Sequence, residues 1–218
     1  MNKFIVIYII MIIVSFPRSG QHLVESILKY LCDSHKIPFS YCEFYGCCNQ
    51  IPCKNNSLIS KNHDFNLDLK IDIDNKYVAL YRSNIIYALE SYYRYWIKLN
   101  KLEYNYDGLL NFIINTSDYY NNFTKKWIRN DKSNILKIGY YELISNPIVN
   151  SKRIFSHFFP EVSQIEEVFL NLPNISFDVY NGLPQGNKES NKIKLINSVS
   201  DELYKKLEDD LSKFIKLK

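Results

Sequence analysis

The chain has 218 residues, of which 46% are hydrophobic and 23% are charged. This composition is typical of a folded domain and excludes the charge-rich, apolar-poor class of disordered proteins. The formal net charge is +4, and the basic residues are spread along the chain rather than grouped. We therefore expect no nucleic acid as a partner and favour a small anionic ligand. The length predicts one domain over residues 1–218.

An apolar run over residues 4–14 begins the chain. It is shorter than the roughly 20 residues of a membrane helix, and no small-residue cleavage site follows it. We interpret it as a buried parallel strand and predict a cytoplasmic protein with no membrane segment. Apolar residues then recur at helical spacing, at Leu23, Val24, Ile27, Leu28 and Leu31.

Further apolar segments predict strands at 58–59, 77–81 and 134–138. A helical pattern after the second of these starts at Asn84, a good N-cap residue. The stretch 104–122 is rich in Asn and Tyr, and we interpret it as a low-complexity tract.

Two helices are predicted near the C-terminal end. Pro147 favours a helix start and Pro160 follows its end near Phe158, while a second helix starts at Asp201 behind Ser198 or Ser200 as the cap. Strands that alternate with helices predict an α/β fold, a central parallel β-sheet flanked by helices in three layers.

The segment from Ser15 to His22 joins a strand to a helix through a short loop. Such a loop directs several backbone N–H groups to one point near the positive end of the helix dipole, where phosphate binds. Ser19 and Gly20 allow close approach of the backbone, and Arg18 adds a permanent positive charge. The first Gly and the Lys of a Walker A loop are absent, which argues against an ATPase or GTPase.

A second polar segment, Lys61-Asn62-His63, ends another strand. Strand alternation would place Lys61 and His63 on the same side. A histidine can accept a proton near neutral pH, so this pair suits the activation of an attacking hydroxyl beside a positive charge.

These motifs resemble the PAPS-dependent sulfotransferases, which have a P-loop-type sandwich fold. The resemblance rests on four segments in the same order: Pro17-Arg18-Ser19-Gly20-Gln21, Lys61-Asn62-His63, Arg82 with Ser91-Tyr92-Tyr93, and Tyr141-Glu142 with Asn146-Pro147. It implies transfer of a sulfuryl group from PAPS to an acceptor hydroxyl, with PAP as the product and no metal required.

The resemblance also implies roles for particular residues. The first loop, here Pro17, Arg18, Ser19, Gly20, Gln21 and His22, would hold the 5′-phosphosulfate. Arg82 and Ser91 would bind the 3′-phosphate, Tyr141 would lie near the adenine or that phosphate, and Lys188 is the best substitute for a further phosphate ligand. His63 would be the catalytic base, and Arg18 and Lys61 would stabilise developing charge.

Other functions stay open at this point. A P-loop kinase for nucleotides or small molecules shares the phosphate loop, and so does a non-catalytic nucleotide-binding module of the same fold. The expected partner of the sulfotransferase is a small-molecule or carbohydrate acceptor, such as a sugar or small alcohol, and a homodimer is compatible with the sequence.

Cys42, Cys47, Cys48 and Cys53 lie close together in the sequence. Four thiols could hold a zinc ion, but structural zinc sites favour ligands paired two to four residues apart, and this spacing does not match. Disulfides are disfavoured in a cytosolic protein. We therefore expect buried, reduced structural cysteines without a metal, and Cys32 in the core of the first helix.

Overall fold

A computed structural model describes residues 10–162 and 200–212 of the chain. Five parallel strands form one sheet in the order β2-β3-β1-β4-β5. The strands are β1 (Met11–Ser15), β2 (Tyr41–Cys42), β3 (Ile59–Asn62), β4 (Lys76–Tyr81) and β5 (Ile135–Gly139). The chain thus adds β2 and β3 on one side of β1, and β4 and β5 on the other.

Six α-helices lie in the described part of the chain. They are α1 (Gln21–Ser34), α2 (Ile85–Leu99), α3 (Tyr106–Phe123), α4 (Tyr140–Ser145), α5 (Pro147–Phe158) and α6 (Asp201–Leu211). A 3₁₀ turn spans Phe44–Gly46, and a π-helical turn, Thr124–Ile128, extends α3. No helix in the described residues is both long and apolar enough to cross a bilayer.

Helices cover both faces of the sheet. The side chains of β1 are apolar on both faces, so each face is buried under helices. Met11 and Ile13 pack in one buried cluster with α1 and α5. Ile12 and Val14 pack in the other with α2, α3 and α6. The predicted α/β fold, a parallel sheet between two helical layers, is confirmed. The extent of a single domain over 1–218 stays a prediction.

Most predicted elements are confirmed. Asn84 caps α2 by accepting hydrogen bonds from the backbone of Ile86 and Tyr87, α5 starts at Pro147, and Ser200 caps α6. Met11–Ser15 of the first apolar run form β1, whereas residues 4–9 lie outside the described residues.

The Asn- and Tyr-rich stretch 104–122, which the sequence distinguished only by its composition, forms most of α3. Asn105 caps the helix at Gly108. The buried residues recur at helical spacing and supply one side of the core: Leu109, Ile113, Ser117, Tyr120 and Phe123. Burial of this face stabilises a helix whose Asn and Tyr residues have only modest helix propensity.

The register of the sheet brings three chain segments to one edge. Val14 lies beside Asn62 and beside Ala79, so Ser15 at the end of β1 is next to His63 on one side and to Leu80 on the other. The backbone N–H of Phe16 continues this pairing by donating to the Leu80 carbonyl at 3.0 Å. Since all five strands are parallel, their carboxyl ends meet at this edge, where ligands of such sheets bind.

A buried ion pair anchors the chain directly after His63. The Asp64 carboxylate is 2.6 Å from Lys126 Nζ and 2.8 Å from Trp127 Nε1, and it accepts the backbone N–H of Leu69 at 2.9 Å. Asp64 is 2% exposed and has a positive φ of 49°. These bonds hold the chain in a left-handed conformation that a non-glycine residue rarely adopts.

We expect the Asp64→Ala variant to lose roughly 3 kcal/mol of unfolding free energy, because it leaves Lys126 and Trp127 without their shared acceptor. The exposed Asp68, on the same segment, is the matched control, and Asp68→Ala should change stability by less than about 0.5 kcal/mol. Urea unfolding at neutral pH measures both. Equal stabilities for the two variants would contradict the anchoring role of Asp64.

Candidate functional site

The loop between β1 and α1 has a tightly constrained backbone. The Ser19 N–H donates to the Phe16 carbonyl at 3.2 Å, which closes a turn around Pro17 and Arg18. Gly20 has a φ of 89°, and a Cβ atom at this position would lie 3.0 Å from Tyr140 Cδ2. The backbone conformation therefore favours glycine here, and a larger residue would also crowd the Tyr140 ring.

Two features of this loop are suited to an anion. No side chain caps the N-terminus of α1, so the N–H groups of its first turn are directed out of the helix without a capping acceptor. The Ser19 hydroxyl is buried, and it has no hydrogen-bond partner among the described residues. An unpaired buried hydroxyl is costly, and a bound anion would satisfy both groups.

Arg82 supplies positive charge beneath the loop. Its Nε donates to the Arg18 carbonyl at 3.0 Å, and its guanidinium lies 4.2 Å from the centre of the Tyr140 ring. Burial lowers the pKa of Arg82 below its ordinary value. Within the described chain, no carboxylate forms an ion pair with this nearly buried cation, which therefore favours an anionic ligand nearby.

Arg18 itself has a φ of 64°, and its side chain is exposed. The guanidinium lies 5.3 Å from the centre of the Tyr95 ring, on α2. The Arg18 charge therefore lies on the solvent-exposed side of the loop, whereas the Arg82 charge is buried.

His63 is held by the end of β1. Its Nδ1 is 2.7 Å from the Ser15 carbonyl oxygen, so Nδ1 carries the hydrogen and Nε2 has the free lone pair. Desolvation is the main cause that lowers the pKa of His63 to about 4, and the nearby Lys61 charge adds to it. The imidazole is consequently neutral at pH 7, with the lone pair of Nε2 unprotonated.

Ser15 connects this histidine to the anion loop. While its carbonyl accepts from His63, its hydroxyl donates to Oε1 of Gln21, the first residue of α1, at 2.7 Å. A single residue therefore contacts both the proposed base and the start of the helix whose N-terminus faces the anion.

Lys61 is also buried beside His63, and it has a partner that we did not foresee. Its Nζ is 2.9 Å from a carboxylate oxygen of Glu43, which follows β2. His22 Nδ1 is 3.8 Å from the other oxygen of Glu43 and 3.4 Å from Glu25. Part of the Lys61 charge is thus balanced by the segment that carries the cysteines.

Aromatic rings surround His63 on its open side. Tyr45 lies parallel to the imidazole with ring centres 6.5 Å apart, and Phe65 is 5.1 Å away. Tyr119 packs on Phe65 and donates its hydroxyl hydrogen to the His63 carbonyl at 2.6 Å. Tyr45 and Phe65 are 50% and 39% exposed, so this wall is open to an incoming molecule.

The other residues predicted to bind the donor lie in the loop, on α2 and on α4, except for one outside the described residues. Pro17 is buried in the loop, and Tyr141 interacts with Arg82 and packs on Tyr87. Ser91 is half-buried on α2, one turn from both Tyr87 and Tyr95, and so on the face directed to the loop. Lys188 lies outside the described residues.

Four residues at the candidate site were not singled out from the sequence: Glu43, Tyr45, Asp64 and Tyr119. Their contacts join segments far apart in the chain. Asp64 directly follows the Lys61-Asn62-His63 segment in the sequence, but its pairing with Lys126 depends on the tertiary structure.

Comparison with solved structures found chains of similar fold. No protein-family model matches the chain, and no curated protein does. A sulfotransferase domain from the curacin biosynthetic pathway is 17% identical, with a TM-score of 0.38, and the match covers 73% of this chain and 76% of that one. A similarity this weak carries no argument about the activity of this chain.

The depressed pKa of His63 predicts a pH-dependent stability. In the unfolded chain a histidine binds a proton near pH 6.5, but in the folded protein only near pH 4, so the unfolded state binds more protons between these values. Proton binding by the unfolded chain therefore lowers the free energy of unfolding as the pH falls. Lowering the pH from 7.5 to 5 should reduce that free energy by about 2 kcal/mol through His63 alone.

Urea unfolding of the wild type and of His63→Gln at both pH values isolates this contribution, because His157, whose pKa is also lowered by burial, is common to both proteins. The wild type should lose more stability than the variant. Parallel losses would show that His63 is not desolvated.

Proposed function

We propose that this protein is a sulfotransferase that moves a sulfuryl group from PAPS to the hydroxyl of an acceptor. The observation that carries the proposal is the double contact of Ser15, which joins a neutral histidine with a free Nε2 to the start of a helix with an uncapped N-terminus. Ser15 thus holds a base close to an anion site, and this arrangement suits the transfer of an anionic group to a hydroxyl.

The donor would be held at the loop and at the end of β4. The backbone N–H groups that begin α1 and the Ser19 hydroxyl would bind the phosphosulfate. Arg82, Ser91 and Tyr141 would bind the 3′-phosphate side of the nucleotide. Arg82 is suited to this role because it is a buried cation that lacks an ion-pair partner among the described residues.

At the reacting centre, His63 would take the proton of the acceptor hydroxyl at Nε2. The acceptor oxygen forms a bond to sulfur as the bond from sulfur to the phosphate oxygen breaks, and that oxygen leaves as PAP with the electron pair. Arg18 and Lys61 would stabilise the charge that develops on the transferring oxygens. No step of this scheme requires a metal ion.

The acceptor would approach along the aromatic wall of Tyr45, Phe65 and Tyr119. Aromatic rings pack against sugar rings and aromatic alcohols, so both classes fit the expected small-molecule or carbohydrate acceptor.

Nucleotide binding tests the donor half of the proposal. Calorimetric titration in EDTA should show micromolar binding of PAP, and Ser19→Ala and Arg82→Ala should each weaken it about tenfold or more, because each removes a hydrogen-bond donor to a charged group. The matched control is Ser133→Ala, an exposed serine before the amino end of β5 and thus on the opposite edge of the sheet. Failure to bind PAP, or a preference for ATP with magnesium, would instead favour a P-loop kinase.

Turnover tests the acceptor half. With PAPS labelled in the sulfuryl group and a panel of sugars and phenols, His63→Ala should lower the transfer rate about 10²- to 10⁴-fold and leave PAP affinity within about twofold. A protein that binds PAP but transfers no label to any hydroxyl, and whose PAP affinity is unchanged in the variant, would be a binding module.

A further inference from the structure

Four cysteines, from the end of β2 and the loop that leads to β3, form a compact cluster. Cys42 ends β2, Cys47 and Cys48 follow the 3₁₀ turn, and Cys53 lies farther along the same loop. All four sulfurs lie within 4.8 Å of one another. The Sγ–Sγ distances are 3.8 Å for Cys42 and Cys48, 3.9 Å for Cys47 and Cys53, and 3.6 Å for Cys48 and Cys53.

These distances match a tetrahedral metal site. Four sulfurs at a Zn–S distance of about 2.3 Å are separated by about 3.8 Å along each edge of the tetrahedron. A disulfide would require about 2.05 Å between two sulfurs, and none of the cysteines is bonded. We infer that Cys42, Cys47, Cys48 and Cys53 bind one structural zinc ion.

Burial of the cysteines supports this inference, and it corrects the expectation of ordinary buried structural cysteines. Cys42 and Cys53 are buried, but neither belongs to an apolar cluster of the core, unlike Cys32 of α1. Cys47 is exposed. The thiols therefore pack on one another rather than on hydrophobic side chains, as ligands of a shared ion do.

The backbone conformation explains how cysteines with this atypical sequence spacing can bind one ion. The 3₁₀ turn is closed by hydrogen bonds from Gly46 to the Glu43 carbonyl and from Cys47 to the Phe44 carbonyl, and it brings the chain back toward Cys42. Cys47 then has a ψ of −85°, which changes the chain direction between two adjacent ligands. The preference for ligands two to four residues apart, which argued against zinc, describes loops without such a turn.

A hydrogen-bond donor lies beside the sulfurs, because Asn55 Nδ2 donates to Cys47 Sγ at 3.4 Å. Such a donor stabilises thiolate charge and orients a metal ligand.

The ion would fix one wall of the candidate site. Glu43 and Tyr45 lie between the first two ligands, and they contact Lys61 and His63 respectively. A zinc ion closing this loop would hold both side chains in place without contacting any reacting group. This role does not depend on which reaction the site performs.

Metal analysis of the purified full chain, expressed with zinc, tests the inference directly. We expect one zinc ion per chain by mass spectrometry of the elements, released to a zinc-sensitive dye by a mercurial thiol reagent. Growth with Co²⁺ should give the absorption of a tetrahedral cobalt thiolate site. Cys42→Ser and Cys53→Ser should reduce the zinc content at least tenfold, while Cys32→Ala, outside the cluster, should retain it.

Three results would overturn the inference. They are four freely titratable thiols in metal-free native protein, two disulfides in the non-reduced protein, and iron in place of zinc. Because metal content and the cobalt spectrum are measured on the wild type, they remain decisive even if the serine variants fail to fold. They are also independent of PAP binding, so the zinc site and the sulfotransferase proposal can fail separately.

Discussion

The hydrogen bond from His63 to the Ser15 carbonyl joins the ends of β3 and β1, and the site is organised around it. It continues the parallel register in which Val14 lies beside Asn62, so it can form only when both strands are aligned. It places the hydrogen on Nδ1 and leaves Nε2 with its lone pair. Burial then keeps the ring neutral. The position, tautomer and charge of the histidine thus follow from the packing of one strand on another.

Several features that cost folding free energy lie at this edge of the sheet. The Ser19 hydroxyl is buried without a partner among the described residues, α1 begins without a side-chain cap, and Arg18 and Asp64 have positive φ values. Among the other described helices, Asn84, Asn105 and Ser200 cap α2, α3 and α6, whereas α4 and α5 also begin without a side-chain cap. Proteins tolerate unsatisfied groups and unusual backbone where a ligand will use them, so the features at this edge are compatible with a ligand site.

The cysteine loop and α3 both support the site. The loop contributes Glu43 and Tyr45, and α3 with its π-helical extension contributes Tyr119, Lys126 and Trp127. If the loop is closed by zinc, both supports are stiff: one through metal–sulfur bonds and the other through a buried ion pair. Such support lets a polar site stay open to substrate while its backbone remains in place.

The sequence by itself determined the elements whose signals are local. Apolar runs predicted β1, β3, β4 and β5, capping residues and prolines marked the starts of α2, α5 and α6, and the loop around Ser19 was identified by its position between a strand and a helix. Only the tertiary structure decided what depends on contacts between distant segments. It made a helix of the Asn- and Tyr-rich stretch by burying one of its faces, paired Lys61 with Glu43, and brought four irregularly spaced cysteines together. Propensity and periodicity describe neighbours along the chain, whereas an ion pair or a metal site depends on atoms that meet only once the sheet has formed.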